Sequence, residues 1–225
     1  ATIAALGRRQ RDDPGWVARL SDDLAATLAA GSQPPRPEEE VFLRLRSDRP
    51  HAGLDEPDVG LLLVLLMNVV QLTVGQAIEV GPGVPHAYLA GNAVECLSNS
   101  DNVVRAGLTN KATDIETFAQ AVRLAPRRPR VLEPSAGLLS RYETASPEFR
   151  LCRHELSAGQ SHELAQSGPR LVVVVAGSVR LDWGIGPRAG ALVADRGGSF
   201  LLPDPVQAAR VQAETGSVLF TASVP

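Results

Sequence analysis

The chain has 225 residues, 44% of them hydrophobic and 21% charged, a composition that supports one large core or two smaller ones and excludes global disorder. A net charge of −3 and a pI near 5.8 exclude a broad basic face for nucleic acid or for an acidic membrane. The longest apolar run, Leu61–Val70, is broken by Asn68 and is about half of a membrane span. Cys96 and Cys152 are too few and too far apart for a zinc ribbon or a disulfide framework, which leaves two thiols in a reducing, cytoplasmic setting as the default.

The first 50 or so residues read as helical. Trp16, Leu20, Leu24 and Leu28 recur every fourth position, Asp13 and Pro14 offer an N-cap and a first-turn proline, and Gly31 marks the stop. A proline-rich break over 33–37 precedes an acidic helix start at Glu38–Glu40 that leads into Val41, Phe42 and Leu45. The start of the chain carries neither an initiator Met nor the layout of a signal peptide, which is the pattern of a chain that starts late.

From Asp58 the pattern predicts a helical start through Leu61–Leu66, then a strand over Val69–Val74. Short strands are predicted over Ala77–Val80, Ala87–Leu89 and Ala93–Cys96, separated by Gly-Pro-Gly and Gly-Asn turns at the spacing of an all-β sandwich or barrel. Thr113 and Glu116 read as a capping box for a helix carrying Phe118 and Val122. The Pro/Arg-rich stretch from Ala125 reads as a surface connector, its arginines as solvated linker charge.

A second β unit runs from Phe149 to the end, with strands predicted around 149–155, 171–175, 178–183, 199–202 and 218–222. Gly197 to Gln207 faintly repeats Gly75 to His86, but the repeat places Gln207 or Ala208 where the first copy has His86. The fold class expected is therefore mainly β: tandem jelly-roll barrels, the first incomplete, plus a small N-terminal helical region. The division expected is 1–57 helical, 58–125 catalytic jelly-roll, 126–148 connector and 149–225 a second, structural jelly-roll.

The segment Pro85–Lys111 (PHAYLAGNAVECLSNSDNVVRAGLTNK) concentrates the chemistry. It holds one histidine, two acids, one arginine and one lysine after a Gly/Pro turn, a set able to meet an anion and a metal. Each residue also has a plainer reading. Asp101 and Arg105 could form a structural ion pair, Tyr88 could be packing, Glu95 is given no role, and His51, His154 and His162 lack metal-spaced neighbours.

The motifs EPDVG (Glu56–Gly60), PHAY (Pro85–Tyr88) and SDNVVRAGLTNK (Ser100–Lys111) together resemble the signature of type I phosphomannose isomerases, over roughly residues 56–118. The resemblance implies a cupin fold and a zinc-dependent interconversion of mannose 6-phosphate and fructose 6-phosphate through an enediolate. It implies His86 as a zinc ligand, Arg105 and Asp101 as catalytic residues, and Lys111 and Tyr88 as lining for the sugar phosphate. Arginine keeps its proton near neutral pH, which suits Arg105 to stabilising an anion rather than to acting as a base.

The family's Gln-x-His motif and later glutamate, which complete its zinc site, have no counterpart before the helical segment of this chain. His86 alone should hold zinc poorly. The expectation is that the N-terminal half of the catalytic domain is missing and that the 225 residues by themselves are inactive. The alternative is a non-catalytic cupin that binds a sugar phosphate through Arg105 and Lys111.

Overall fold

Helices come first and strands later, in the order the hydrophobic patterning sets. The structure, a computed structural model, describes residues 2–48, 56–100, 102–164, 168–184, 189–204 and 209–224. Asp101, His51, Gln207 and Ala208 lie outside the described residues. The chain forms two compact units, one made of residues 1–71, 80–89 and 101–129, the other of residues 72–79, 90–100 and 130–225.

The first unit is helical: α1 (Thr2–Asp12), α2 (Trp16–Ala30), α3 (Pro37–Ser47), the short α4 (Val59–Leu63) with a 3₁₀ turn Val64–Leu66, and α5 (Ile115–Ala121). Its core gathers Trp16, Val17 and Ala25 of α2, Phe42 of α3, and Leu61 and Leu62 of α4. The four-residue spacing in α2 is realised, although the residue before Trp16 is Gly15, and Asp13 contributes its backbone carbonyl to Trp16 N (3.0 Å) rather than a side-chain cap. The three acids at the start of α3 face the positive end of its dipole. Arg36 adds an ion pair to Glu39 at 2.8 Å, and the bonds from Arg36 hold the Glu39 carboxyl below its usual range.

The strands expected at Val69–Val74, Ala87–Leu89 and Ala93–Cys96 are not formed. Only Ala77–Ile78 (β1) pairs, with Val131–Leu132 (β2). A strand is a property of two partners, and among the described residues these three segments have no ladder to join. No closed barrel is present among the described residues.

The second unit is an open sandwich. One sheet has the order β3 (Leu139–Tyr142), β4 (Arg150–Leu156), β11 (Ser217–Ser223), β6 (Arg170–Ala176), β9 (Ser199–Leu202). The other has β5 (Ser161–Glu163), β10 (Ala209–Ala213), β7 (Ser178–Trp183), β8 (Gly190–Asp195), and all their pairings are antiparallel. Leu156, Val172, Val174 and Leu219 from the first sheet meet Val179, Leu181, Val211 and Ala213 from the second in one core. Alternation puts residues 217, 219, 221 and 223 of β11 on its buried face.

That interior is not wholly apolar. His154 is 3% exposed, its Nε2 lies 3.0 Å from Thr221 Oγ1, and its ring meets that of His162 of the opposite sheet at 5.1 Å between centroids, tilted by 48°. Burial first, and the neighbouring His162 second, push its pKa down to about 4. The unfolded chain therefore binds a proton between pH 6.5 and 4 that the folded chain refuses. Stability should be full above pH 6.5 and fall by about 3 kcal/mol as the pH drops to 4. Urea melts at pH 7.5 and 4.5 test this: a His154→Leu variant should lose much of the difference, and an unchanged pH slope in that variant would exclude His154 as its source.

Candidate functional site

The stretch that carries Arg105 and Lys111 is held in place from two sides. Asp58 caps α4 by accepting a bond from Gly60 N at 2.8 Å, and the same carboxylate accepts from Leu108 N at 2.8 and 3.1 Å. Leu108 adopts φ +54°, a left-handed conformation rare for a bulky residue and sustained here by that carboxylate. Gly60 and Gly107 meet so closely that a Cβ on Gly107 would lie 2.2 Å from Asp58 Oδ1 and 2.8 Å from Gly60 N. The EPDVG and RAGLTNK motifs, some 50 residues apart in sequence, are thus one clamp.

The second hold is α5. Asp114 is its N-cap, accepting from Glu116 N (3.2 Å), Thr117 N (2.9 Å) and Thr117 Oγ1 (2.6 Å), where the sequence pattern placed the cap at Thr113. These bonds, the Thr117 hydroxyl foremost, hold the Asp114 carboxyl below its usual range. Asp114 N donates to Arg105 O at 3.0 Å, and just past the other end of α5 Arg123 N donates to Gly83 O at 2.8 Å. Gly83, at φ +73°, makes the turn that leads to His86. One seven-residue helix, about 10 Å long, therefore spaces the backbone at Arg105 from the turn before His86.

His86 is exposed, and its Nδ1 donates to Val84 O at 3.1 Å. In the neutral ring that bond places the proton on Nδ1 and leaves the lone pair on Nε2, the form a metal ligand needs. Tyr88 is 68% exposed and meets the His86 ring edge-on at 5.9 Å. Arg105 is half-buried, and Lys111 lies on the rim of a cavity of about 530 Å³ that Gln10, Glu56, Asp58, Thr109 and Asn110 also line. Arg105 is not among the residues lining that cavity.

The structure thus brings His86 to Tyr88 and sets Arg105 and Lys111 on one clamped loop, while Asp101 lies outside the described residues. Among the described residues no group of three or more His, Cys, Asp and Glu could hold a metal ion. The described residues therefore do not by themselves fit a four-coordinate zinc, to which His86 could offer at most one of four ligands. Neither cysteine forms a disulfide among the described residues, and burial raises the Cys96 thiol, which makes it a poor nucleophile. Sequence reasoning gave Asp58 no role, because its work is done on backbone N–H groups far along the chain.

No protein-family model matches the chain. It is 39% identical over 146 residues to the mannose-6-phosphate isomerase of Cryptococcus neoformans, covering 61% of this chain and 32% of that protein. Mannose-6-phosphate isomerase 2 of Arabidopsis thaliana is 31% identical over 172 residues, covering 75% of this chain and 37% of the relative. Among solved structures, the apo mannose 6-phosphate isomerase of Salmonella typhimurium superposes with a TM-score of 0.72 at 29% identity, covering 92% of this chain and 50% of that one. The same enzyme bound to fructose 6-phosphate and zinc gives 0.68 at 26% identity, covering 98% and 57%. The chain spans about a third of the length of these curated relatives. It is a homologue of the mannose-6-phosphate isomerases, with the cupin fold of the Salmonella enzyme over the part they share.

Proposed function

We propose that this chain carries one wall of an aldose-ketose isomerase site for mannose 6-phosphate and fructose 6-phosphate. The observation that supports the reading best is the doubly held Arg105 loop, built from the residues that carry the likeness to the isomerases. Isomerisation moves a proton between C1 and C2 and passes through an enediolate, whose negative charge a fixed guanidinium stabilises. Arg105 supplies that charge. Lys111 meets the phosphoryl group from its place on the cavity rim, Tyr88 packs against the sugar, and Asp101 handles the proton or orients Arg105.

His86 is presented in the tautomer that ligates, and we infer that it is one zinc ligand, with the others supplied from outside the described residues. The 225-residue chain alone is expected to hold well under one zinc per molecule and to give no turnover in an assay coupling fructose 6-phosphate formation to a reporter. Stoichiometric zinc together with robust turnover from this chain would overturn that expectation.

In the smallest polypeptide that does turn over, Arg105→Ala is expected to lower kcat by about 10²–10³-fold. Arg105→Lys should recover little, because an ammonium lacks the planar fork. Wild-type kcat in Arg105→Ala would remove it from the chemistry. The absence of a three-ligand cluster among the described residues also favours a second reading, a module that binds a sugar phosphate without converting it. Fructose 6-phosphate binding that depends on Arg105 and Lys111, with no turnover from any longer polypeptide, would select it.

A further inference from the structure

The cavity beside Lys111 has a further wall, and it comes from the first helix of the chain. Gln10 in the last turn of α1 lines it, with Glu56 and Asp58 before α4 and the 109–113 stretch that follows Leu108. All three stretches belong to the helical unit. Segments far apart in sequence thus enclose one space of about 530 Å³, within the range of small-ligand sites.

The Gln10 side chain is anchored. Val59 N, at the start of α4, donates to its Oε1 at 2.8 Å. A backbone N–H needs an acceptor, so the bond also decides which way the carboxamide is turned. The Nε2 end, with two protons to give, makes no hydrogen bond among the described residues. Asp58 differs, because it gives both oxygens to backbone amides, Oδ1 to Gly60 N and Leu108 N and Oδ2 to Leu108 N. Glu56 is then the acceptor of the cavity and Lys111 its cation. Both are exposed, and they form no ion pair with each other.

A held amide donor and a carboxylate acceptor on one cavity suit neighbouring hydroxyl groups, since each hydroxyl both gives and takes a hydrogen bond. Two carboxylates against one ammonium leave the cavity net negative, which disfavours bare phosphate. Resting on the isomerase reading above, we propose that Gln10 and Glu56 recognise the hydroxyl groups of the sugar phosphate while Lys111 holds its phosphoryl group. Gln10 Nε2 donates to one hydroxyl oxygen, and Glu56 accepts from a neighbouring hydroxyl. Both are specificity-determining residues with no part in proton transfer. A site that bonds a hydroxyl rejects a ligand without one, because its own polar groups then go unpaired.

The test titrates fructose 6-phosphate, and separately inorganic phosphate, into the 225-residue chain at fixed ionic strength, following the Gln10 side-chain amide protons by NMR. Fructose 6-phosphate is expected to shift them saturably, and inorganic phosphate to leave them in place. Glu56→Gln should weaken fructose 6-phosphate by about tenfold and leave inorganic phosphate unchanged or tighter, a divergence that a merely structural role would not produce. Gln10→Glu keeps the oxygen that Val59 N needs and removes the amide protons. It should hold the melting temperature and weaken fructose 6-phosphate by about tenfold, with a smaller loss for inorganic phosphate, which meets only the added charge. Where Gln10→Glu melts too low to titrate, Glu56→Gln, at an exposed position, carries the test. Unmoved Gln10 protons at saturating fructose 6-phosphate, no saturable binding of it by the parent, or unchanged affinity for it in Glu56→Gln would each overturn the proposal. The isomerase reading fails separately: binding that needs Gln10 and Glu56, with no turnover from any longer polypeptide, would uphold these two roles and exclude the isomerase.

Discussion

Gly107→Ala is expected to destabilise the helical unit by about 3 kcal/mol or more. The new methyl would sit 2.2 Å from Asp58 Oδ1 and 2.7 Å from its Cγ, so the carboxylate must leave. Its departure releases Gly60 N and Leu108 N together, and bonds to a charged acceptor contribute about 1.5–3 kcal/mol each. It also leaves Leu108 at φ +54° with nothing to hold it there. Gly81→Ala is the control, since its Cβ would meet nothing within 4 Å. A double-mutant cycle sharpens the test. Asp58→Ala removes the nearer obstacle but leaves Gly60 N 2.8 Å from the new methyl, so on that background Gly107→Ala should cost less though not nothing, a coupling on the order of 2 kcal/mol. Additive losses in denaturant melts would mean that Gly107 is small for some reason other than the clamp.

The second large effect is expected at Gly177, where the chain leaves β6 in one sheet and enters β7 in the other. Its φ of +76° disfavours any side chain, and a Cβ there would lie 2.3 Å from Ser217 Oγ, 2.4 Å from Gly216 O and 2.8 Å from Ser217 Cα. Two of those three atoms are backbone, so the obstruction cannot swing aside. The left-handed conformation costs about 1–2 kcal/mol and the overpacking about 1–3. Gly177→Ala should therefore lose about 2–5 kcal/mol. The alternative position Gly137, at φ +103° with nothing within 4 Å, isolates the conformational part. If Gly137→Ala and Gly177→Ala melt alike in denaturant, the tight corner contributes nothing beyond backbone strain.

Both glycines show how a sequence can be read and still withhold its reasons. The spacing of Trp16, Leu20, Leu24 and Leu28 declared α2 because helical periodicity is local. The valine run within 171–175 and the apolar stretch at 218–222 likewise declared β6 and β11. The segments 87–89 and 93–96 carry comparable alternation and form no strand, because pairing depends on a neighbour that periodicity does not name. At the candidate site, Arg105 and Lys111 stood out by charge and by their motif. Asp58 sat inside a quoted motif but drew no role, since nothing local shows that its carboxylate serves Leu108, 50 residues away.

The two compact units are interleaved along the chain, which passes from one to the other after residues 71, 79, 89, 100 and 129. The stretch bearing His86 belongs with the helices even though residues on both sides of it belong with the sandwich. No single cut can therefore yield either unit whole. Dissection by truncation at residue 129 would give a helical fragment still carrying 72–79 and 90–100 as passengers, and a sandwich fragment stripped of both. Ribosomal synthesis meets the same constraint: residues 72–79 emerge some 50 residues before β2, the strand that β1 pairs with, and must wait for it.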